Sequence, residues 1–99
     1  MNSDAMAVCF CEKALQHSFT STRDVVMGNQ FDAVVATSDM LSRNEAKWMS
    51  IYRCRVCGRL WVEGCHDRGQ VYFYYLFPAP QTDDPVRWLN EEAEELPSS

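Results

Sequence analysis

Long apolar runs are missing from this chain of 99 residues. No stretch approaches the roughly 18 consecutive apolar residues of a membrane-spanning helix, so that kind of anchor is not expected. The first residues, Met1-Asn2-Ser3-Asp4-Ala5-Met6, contain neither a basic region nor an apolar one. A secretory signal is therefore not expected, and the reducing cytoplasm is the expected compartment. Internal repeats and low-complexity tracts are absent, which speaks against a solenoid or a disordered tail. An excess of positive charge is also lacking. The formal net charge is -5, and a nucleic-acid footprint should be basic.

The negative charge is concentrated at one end. From residue 83 onward stand Asp83, Asp84, Glu91, Glu92, Glu94 and Glu95 against Arg87 alone, which leaves residues 1 to 82 neutral. Between residues 53 and 68, Arg53, Arg55, Arg59 and Arg68 face only Glu63 and Asp67. The middle is mildly basic and the end acidic. A hydrophobic share of 46% with 12% aromatics suits a folded chain, and the length suits a single domain over residues 1–99, with 1–8 and 97–99 as loose ends. A core this small benefits from an additional staple.

Punctuation and periodicity predict α+β structure, mostly antiparallel β: a meander of strands with a C-terminal helix. The segment from Glu12 to Phe19 fits a short helix or a strand equally. Arg23 to Met27 and Phe31 to Thr37, rich in β-branched residues around Gly28-Asn29-Gln30, read as a hairpin. Ser38 to Glu45 reads as a loop or one helical turn. Trp48 to Arg53, Leu60 to Glu63 and Val71 to Phe77 read as strands, the last two joined by a turn at Asp67-Arg68-Gly69. Because Val71 to Phe77 is apolar or aromatic throughout, both its faces are expected to be covered, and Pro78 and Pro80 should stop it. Asp84-Pro85 should open a helix with Val86, Leu89, Ala93 and Leu96 on one stripe and Trp88 beside it. Its late glutamates would oppose the helix dipole, and Pro97 would end it.

Five cysteines are an odd count for disulfides, and in a reducing compartment paired cysteines point to metal or redox chemistry. Cys54-Arg55-Val56-Cys57-Gly58 between two strands has the spacing of a zinc knuckle: two thiolates reach one ion from a tight turn, and the glycine permits the left-handed backbone. Cys9-Phe10-Cys11 supplies the second pair if it is extended, since alternate residues of a strand point to one face. The expected ligands of one structural Zn2+ are Cys9, Cys11, Cys54 and Cys57. Cys65 or His66 is the alternative for a member of the first pair. Arg53, Arg55 and Arg59 would offset the charge of about -2 on a four-thiolate centre. The competing readings are reduced cysteines packed as small hydrophobes and a thioredoxin-like pair, which should open a helix rather than lead into a strand. Cys65 and His66, as strand neighbours, point to opposite faces and make a poor dyad. His17 reads as a surface or locally satisfied histidine.

The stretch from Tyr52 to Phe77, with its C-x-x-C-G-x-x-W signature (Cys54, Cys57, Gly58, Trp61), resembles zinc-ribbon proteins. More loosely, it resembles the small immunity proteins that accompany bacterial polymorphic toxins. It departs from the usual pattern in its first ligand pair, C-x-C in place of C-x-x-C. The resemblance implies a protein partner, a toxin domain that this chain binds and blocks without being an enzyme itself. Expected contact residues are Tyr72, Tyr74 and Tyr75, together with Glu91, Glu92, Glu94 and Glu95. The alternative function is a nucleic-acid-binding zinc ribbon that uses the Arg53–Arg68 basic stretch.

Overall fold

The computed structural model describes residues 9–21, 24–67 and 72–96, the side chains of His66 and Asp67 excepted. The expected loose ends, Arg23, and the turn at Arg68-Gly69 lie outside the described residues. Strands β1 (Ser38–Asn44), β2 (Met49–Cys54), β3 (Leu60–Asp67) and β4 (Tyr72–Pro78) form one antiparallel sheet in the order β1-β2-β3-β4. Helices α1 (Cys11–Ala14) and α2 (Gly28–Ala36) precede it and α3 (Pro85–Glu91) follows. The class is α+β and mostly antiparallel β, with the C-terminal helix in place.

Strand alternation divides the core between the two faces of this sheet. On one face Tyr52, Cys54, Trp61 and Leu76 pack against Cys11 and Ala14 of α1 and Val34 of α2. On the other face Met49, Ile51, Val62, Tyr75 and Phe77 pack against Leu89 of α3 and Ala93 just beyond it. Helix α3 starts as its sequence predicts: Pro85 occupies the first turn, and the Asp84 carboxylate accepts the Arg87 amide at 3.1 Å. Its far end is held by the β1–β2 turn, where Lys47 Nζ donates to the carbonyls of Leu89 (3.0 Å) and Ala93 (2.9 Å). A cation there satisfies orphan carbonyls and favours the negative end of the helix dipole.

Four expectations about local structure are corrected. The hairpin over Arg23 to Thr37 is instead a single β-bridge, Val26 to Leu76, followed by helix α2. Phe31, Val34 and Val35 stand at i, i+3 and i+4, a helical stripe, and they pack on the Tyr52–Trp61 face of the sheet. Tertiary burial overrides the β preference of two valines. The loop or helical turn expected over Ser38 to Glu45 is strand β1, with a bulge between Met40 and Ser42. An edge strand needs few apolar residues, because β2 supplies the pairing and only part of β1 is buried.

Strand β4 is not covered on both faces. Tyr72 and Tyr74 are each 52% exposed, whereas Tyr75 and Leu76 are fully buried. Finally, α3 ends at Glu91 rather than near Pro97, so Glu92, Glu94 and Glu95 lie beyond the helix and do not face its dipole from within.

Gly64 carries a close approach that no other residue permits. It pairs with Tyr75 across the β3–β4 ladder, and the phenol ring lies over it, so that a Cβ would stand 2.5 Å from the ring. The glycine lets the ring come close against the strand, and the ring covers backbone that glycine leaves bare. Gly64→Ala should therefore destabilise the fold by about 1–3 kcal/mol, the range for forcing extra volume into a packed core. Chemical denaturation should show it, and an unchanged midpoint would mean the ring is free to move aside. Gly64→Ala combined with Tyr75→Phe should recover little, because the clash involves ring carbons as well as the hydroxyl.

His17 is the satisfied histidine of the two readings. Its Nδ1 lies 2.6 Å from the Asp24 carboxylate and its Nε2 3.2 Å from Gln30 Oε1, which ties the segment after α1 to α2. The Asp24 carboxyl, held by the Ser18 hydroxyl and amide and by His17, is pulled from 3.8 to about 2. A depressed carboxyl stabilises the fold above its unfolded value and loses that contribution as pH falls through the folded value. The stability difference between wild type and Asp24→Asn should thus be present at neutral pH and should close between pH 3.8 and about 2. Parallel denaturation series at neutral and acid pH would measure it. A difference that persists at the lowest pH would detach it from Asp24 ionisation.

Candidate metal centre

The knuckle forms where β2 turns into β3. The Cys54 amide donates to the Arg59 carbonyl and the Gly58 amide to the Cys54 carbonyl, both at 2.9 Å, which closes a tight turn around the two cysteines. Gly58 has φ +78°, and a Cβ on it would meet nothing within 4 Å. It is the left-handed backbone, not lack of space, that calls for glycine there. The turn also aims an amide inward: Val56 N–H lies 3.4 Å from Cys54 Sγ.

The first pair is brought in by a different device from the one expected. Cys9-Phe10-Cys11 is not extended; Phe10 has φ -94° and ψ 5°, and Cys11 opens helix α1. The chain turns between the two thiols, and α1 docks through Cys11 and Ala14, both fully buried. The sulfurs of Cys9, Cys11, Cys54 and Cys57 then all lie within 4.8 Å of one another. A tetrahedral ion with metal–sulfur bonds of about 2.3 Å would set its ligands about 3.8 Å apart, so the group is of a size to hold one metal ion after small adjustments.

Cys65 stands apart from this group. It follows Trp61 by four residues on the same face of β3, roughly 13 Å along an extended strand. The His66 side chain lies outside the described residues. Among the described residues, the four-cysteine set is the single cluster of this kind.

The surroundings treat the thiols unequally. Burial works against ionising Cys54, but the amides of Cys57 and Val56, the Thr37 hydroxyl and the Cys11 thiol outweigh it and bring its pKa down to about 6. Burial dominates at Cys11 and pushes its thiol up despite the Trp61 indole, and burial likewise raises Cys9. The site therefore favours the thiolate at Cys54, and the buried Cys11 would lose its proton when a cation arrives.

Two further contacts support the sulfurs. Trp61 Nε1, fully buried, donates to Cys11 Sγ at 3.2 Å. The Arg59 guanidinium lies beside the Cys57 sulfur, and that proximity raises its pKa. Of the three arginines expected to offset the cluster, Arg59 is placed to do so. Arg55 serves another purpose: it donates to the Ala36 carbonyl at the end of α2 (2.9 Å), to the Ser38 carbonyl (3.2 Å) and to Asp39 (2.7 Å). Arg53 is an exposed residue on the strand neighbouring Cys54. The indole contact was missed in the sequence, although the spacing C-x-x-C-G-x-x-W holds its signal: Trp61 returns along β3 to the side on which Cys54 points.

The residues expected at a partner surface separate as well. Tyr72 and Tyr74 are half-exposed, Tyr75 is buried and offers no surface, and Glu91, Glu92, Glu94 and Glu95 are exposed. Among the described residues no helix is long and apolar enough to cross a membrane. Comparison with protein-family models, curated proteins and solved structures found no match.

Proposed function

We propose that this protein is a non-catalytic binding module whose fold is held by one structural zinc ion, and that it acts as an immunity protein neutralising a bacterial toxin. The observation that carries the zinc is the convergence of four cysteine sulfurs within 4.8 Å of one another, supplied by two separate parts of the chain. A set of four thiolates suits zinc or iron among the common metals. Four protein ligands complete a tetrahedron, whereas a catalytic zinc keeps one position open for water. A closed site of this kind supports a structural role.

The binding role rests on the resemblance of the Tyr52–Phe77 stretch, on half-exposed aromatics on one sheet face, and on the acidic end. Exposed tyrosines give a partner large contact area at small entropic cost, and an acidic end steers a basic partner. The nucleic-acid reading loses support from the use of its arginines: Arg55 clamps α2 to β1, and Arg59 lies beside Cys57, whose thiol raises its pKa.

Native mass spectrometry of the purified chain should give one zinc per protein, and the sample should be colourless because zinc has a filled d shell. Visible charge-transfer absorption would replace zinc with iron. Co-expression with the product of a neighbouring toxin gene should relieve growth arrest and yield a stable complex. A zinc-loaded protein that neither binds nor protects would remove the immunity role and leave the structural zinc.

A further inference from the structure

Helices α1 and α2 cover only the end of the sheet face that holds the cysteines. Among the described residues the other end of the same face is open and forms a cleft of about 600 Å³. Strand alternation places Glu63, Tyr72 and Tyr74 in it, on the side of the sheet shared by Trp61 and Leu76. Register with β2 brings Arg43 of β1 to the same side, opposite Ser50. The β1–β2 turn adds Glu45 and Trp48.

Two features set this cleft apart from ordinary surface. Trp48, Tyr72 and Tyr74 are 50–52% exposed within one lining, where a small protein usually buries such side chains. Trp48 also has φ +58°, a backbone that bulky L-residues seldom adopt. In that conformation its indole lies beside Tyr72, ring centroids 5.6 Å apart and planes 33° from parallel. The turn is pinned from behind by Lys47 and by Asn44, which donates to Asn90 at 2.9 Å. The strained residue is thus held by α3 in a position where its ring contacts the aromatic wall.

The chemistry of the lining selects a cation. Three aromatic rings with electron-rich faces line it, and the carboxylates of Glu45 and Glu63 outnumber the one guanidinium of Arg43. Glu63 accepts from the Tyr52 hydroxyl at 3.3 Å, which orients it from the buried side. Aromatic faces with carboxylates beside them hold ammonium and guanidinium groups and accommodate the apolar stem that carries them. An anion would meet the two carboxylates of Glu45 and Glu63 among the aromatic rings.

We infer that this cleft takes a cationic side chain, lysine or arginine, projecting from the protein partner. The inference rests on the binding-module reading for the origin of the cation and is independent of the metal. Nucleic-acid bases could stack on the same rings, but their phosphates would meet the carboxylates.

The test uses the full zinc-loaded chain labelled with nitrogen-15. Acetyl-lysine methylamide is titrated against its neutral analogue, acetyl-norleucine methylamide, and against a short oligothymidine. The lysine probe should move the Trp48 indole N–H and the backbone amides of Tyr72 and Tyr74 saturably. The norleucine probe should bind at least about fivefold more weakly, and Glu63→Gln and Tyr74→Ala should each weaken lysine binding by about two- to fivefold. Trp48→Phe keeps a ring and guards against loss of the turn, and spectral dispersion away from the cleft reports that each variant is folded. Equal binding of lysine and norleucine overturns the inference, as does the absence of a saturable shift or a preference for the oligonucleotide at these residues. A cleft that takes lysine in a protein that fails to bind its toxin would retain this inference and remove the immunity reading.

Discussion

Cys54→Ser and Cys11→Ser should each abolish the folded state, and strong chelation of the wild type should do the same. Both sulfurs are buried, at 1% and 0% exposure, and each belongs to the core cluster that joins α1 to the sheet. Structural zinc sites release on the order of 10–16 kcal/mol on metal binding in small peptides, which is comparable with the whole stability of a typical domain, about 5–15 kcal/mol. Loss of the ion therefore reads as unfolding rather than as softening. Cys57 is exposed and Cys9 half-buried, so Cys57→Ser and Cys9→Ser should lose zinc while costing less packing. Cys65→Ser should leave zinc content unchanged, since Cys65 lies outside the cluster. Zinc stoichiometry by mass spectrometry and the far-ultraviolet spectrum would check all five variants. If metal-free protein keeps the thermal midpoint of the loaded protein, the cluster is packing alone. If Cys65→Ser loses zinc while Cys11→Ser retains it, the ligand set is wrong.

Trp61→Ala should be the most damaging substitution outside the ligands, by about 3–5 kcal/mol, the range for deleting a buried large aromatic. The residue is fully buried, its ring meets Phe19 edge-on at 6.1 Å, and its strand position pairs with Tyr52. Trp61→Phe separates its two contributions. It keeps much of the ring but removes the donor to Cys11 Sγ, a bond of about 1.5–3 kcal/mol when the acceptor is charged. Partners of this kind typically change metal affinity by about 10–100-fold. Competition with a chelator should therefore show weaker zinc binding in Trp61→Phe, whereas half-buried Trp88→Phe should show none. If Trp61→Phe loses stability but keeps its zinc affinity, the indole N–H is incidental and Trp61 is only a packing residue.

The part of this fold that was legible in advance is the part specified by neighbouring residues. The β2–knuckle–β3 unit follows from Cys54-x-x-Cys57-Gly58 between two strand-forming runs, because a two-residue spacer and a left-handed glycine act within a single turn. The start of α3 follows from Asp84-Pro85 for the same reason: the cap bond spans three residues. Helix α2 was misread because Val34 and Val35 favour strands on their own, and what makes that segment helical is the face that Phe31, Val34 and Val35 jointly present to the sheet. Strand β1 carries little signal, since as an edge it takes most of its order from β2. The end of α3 was placed too late: the stripe continues through Ala93 and Leu96, but the last turn is taken over by Lys47, a residue more than 40 positions earlier.

By itself the sequence determined that the chain would carry a cysteine knuckle between antiparallel strands, a capped C-terminal helix and an acidic end. It also identified the four cysteines that prove to be neighbours. Only the tertiary structure decided that Cys9 and Cys11 arrive from a helix start rather than a strand, that Trp61 donates to Cys11, and that Tyr72 and Tyr74 face an open cleft while Tyr75 is buried over Gly64. Each of these depends on residues distant in the chain being brought within a few ångströms. Strand register sets which side of the sheet a side chain occupies, and a shift of one residue would exchange the faces. That register is settled by both sheet faces packing at once, and no local pattern carries it.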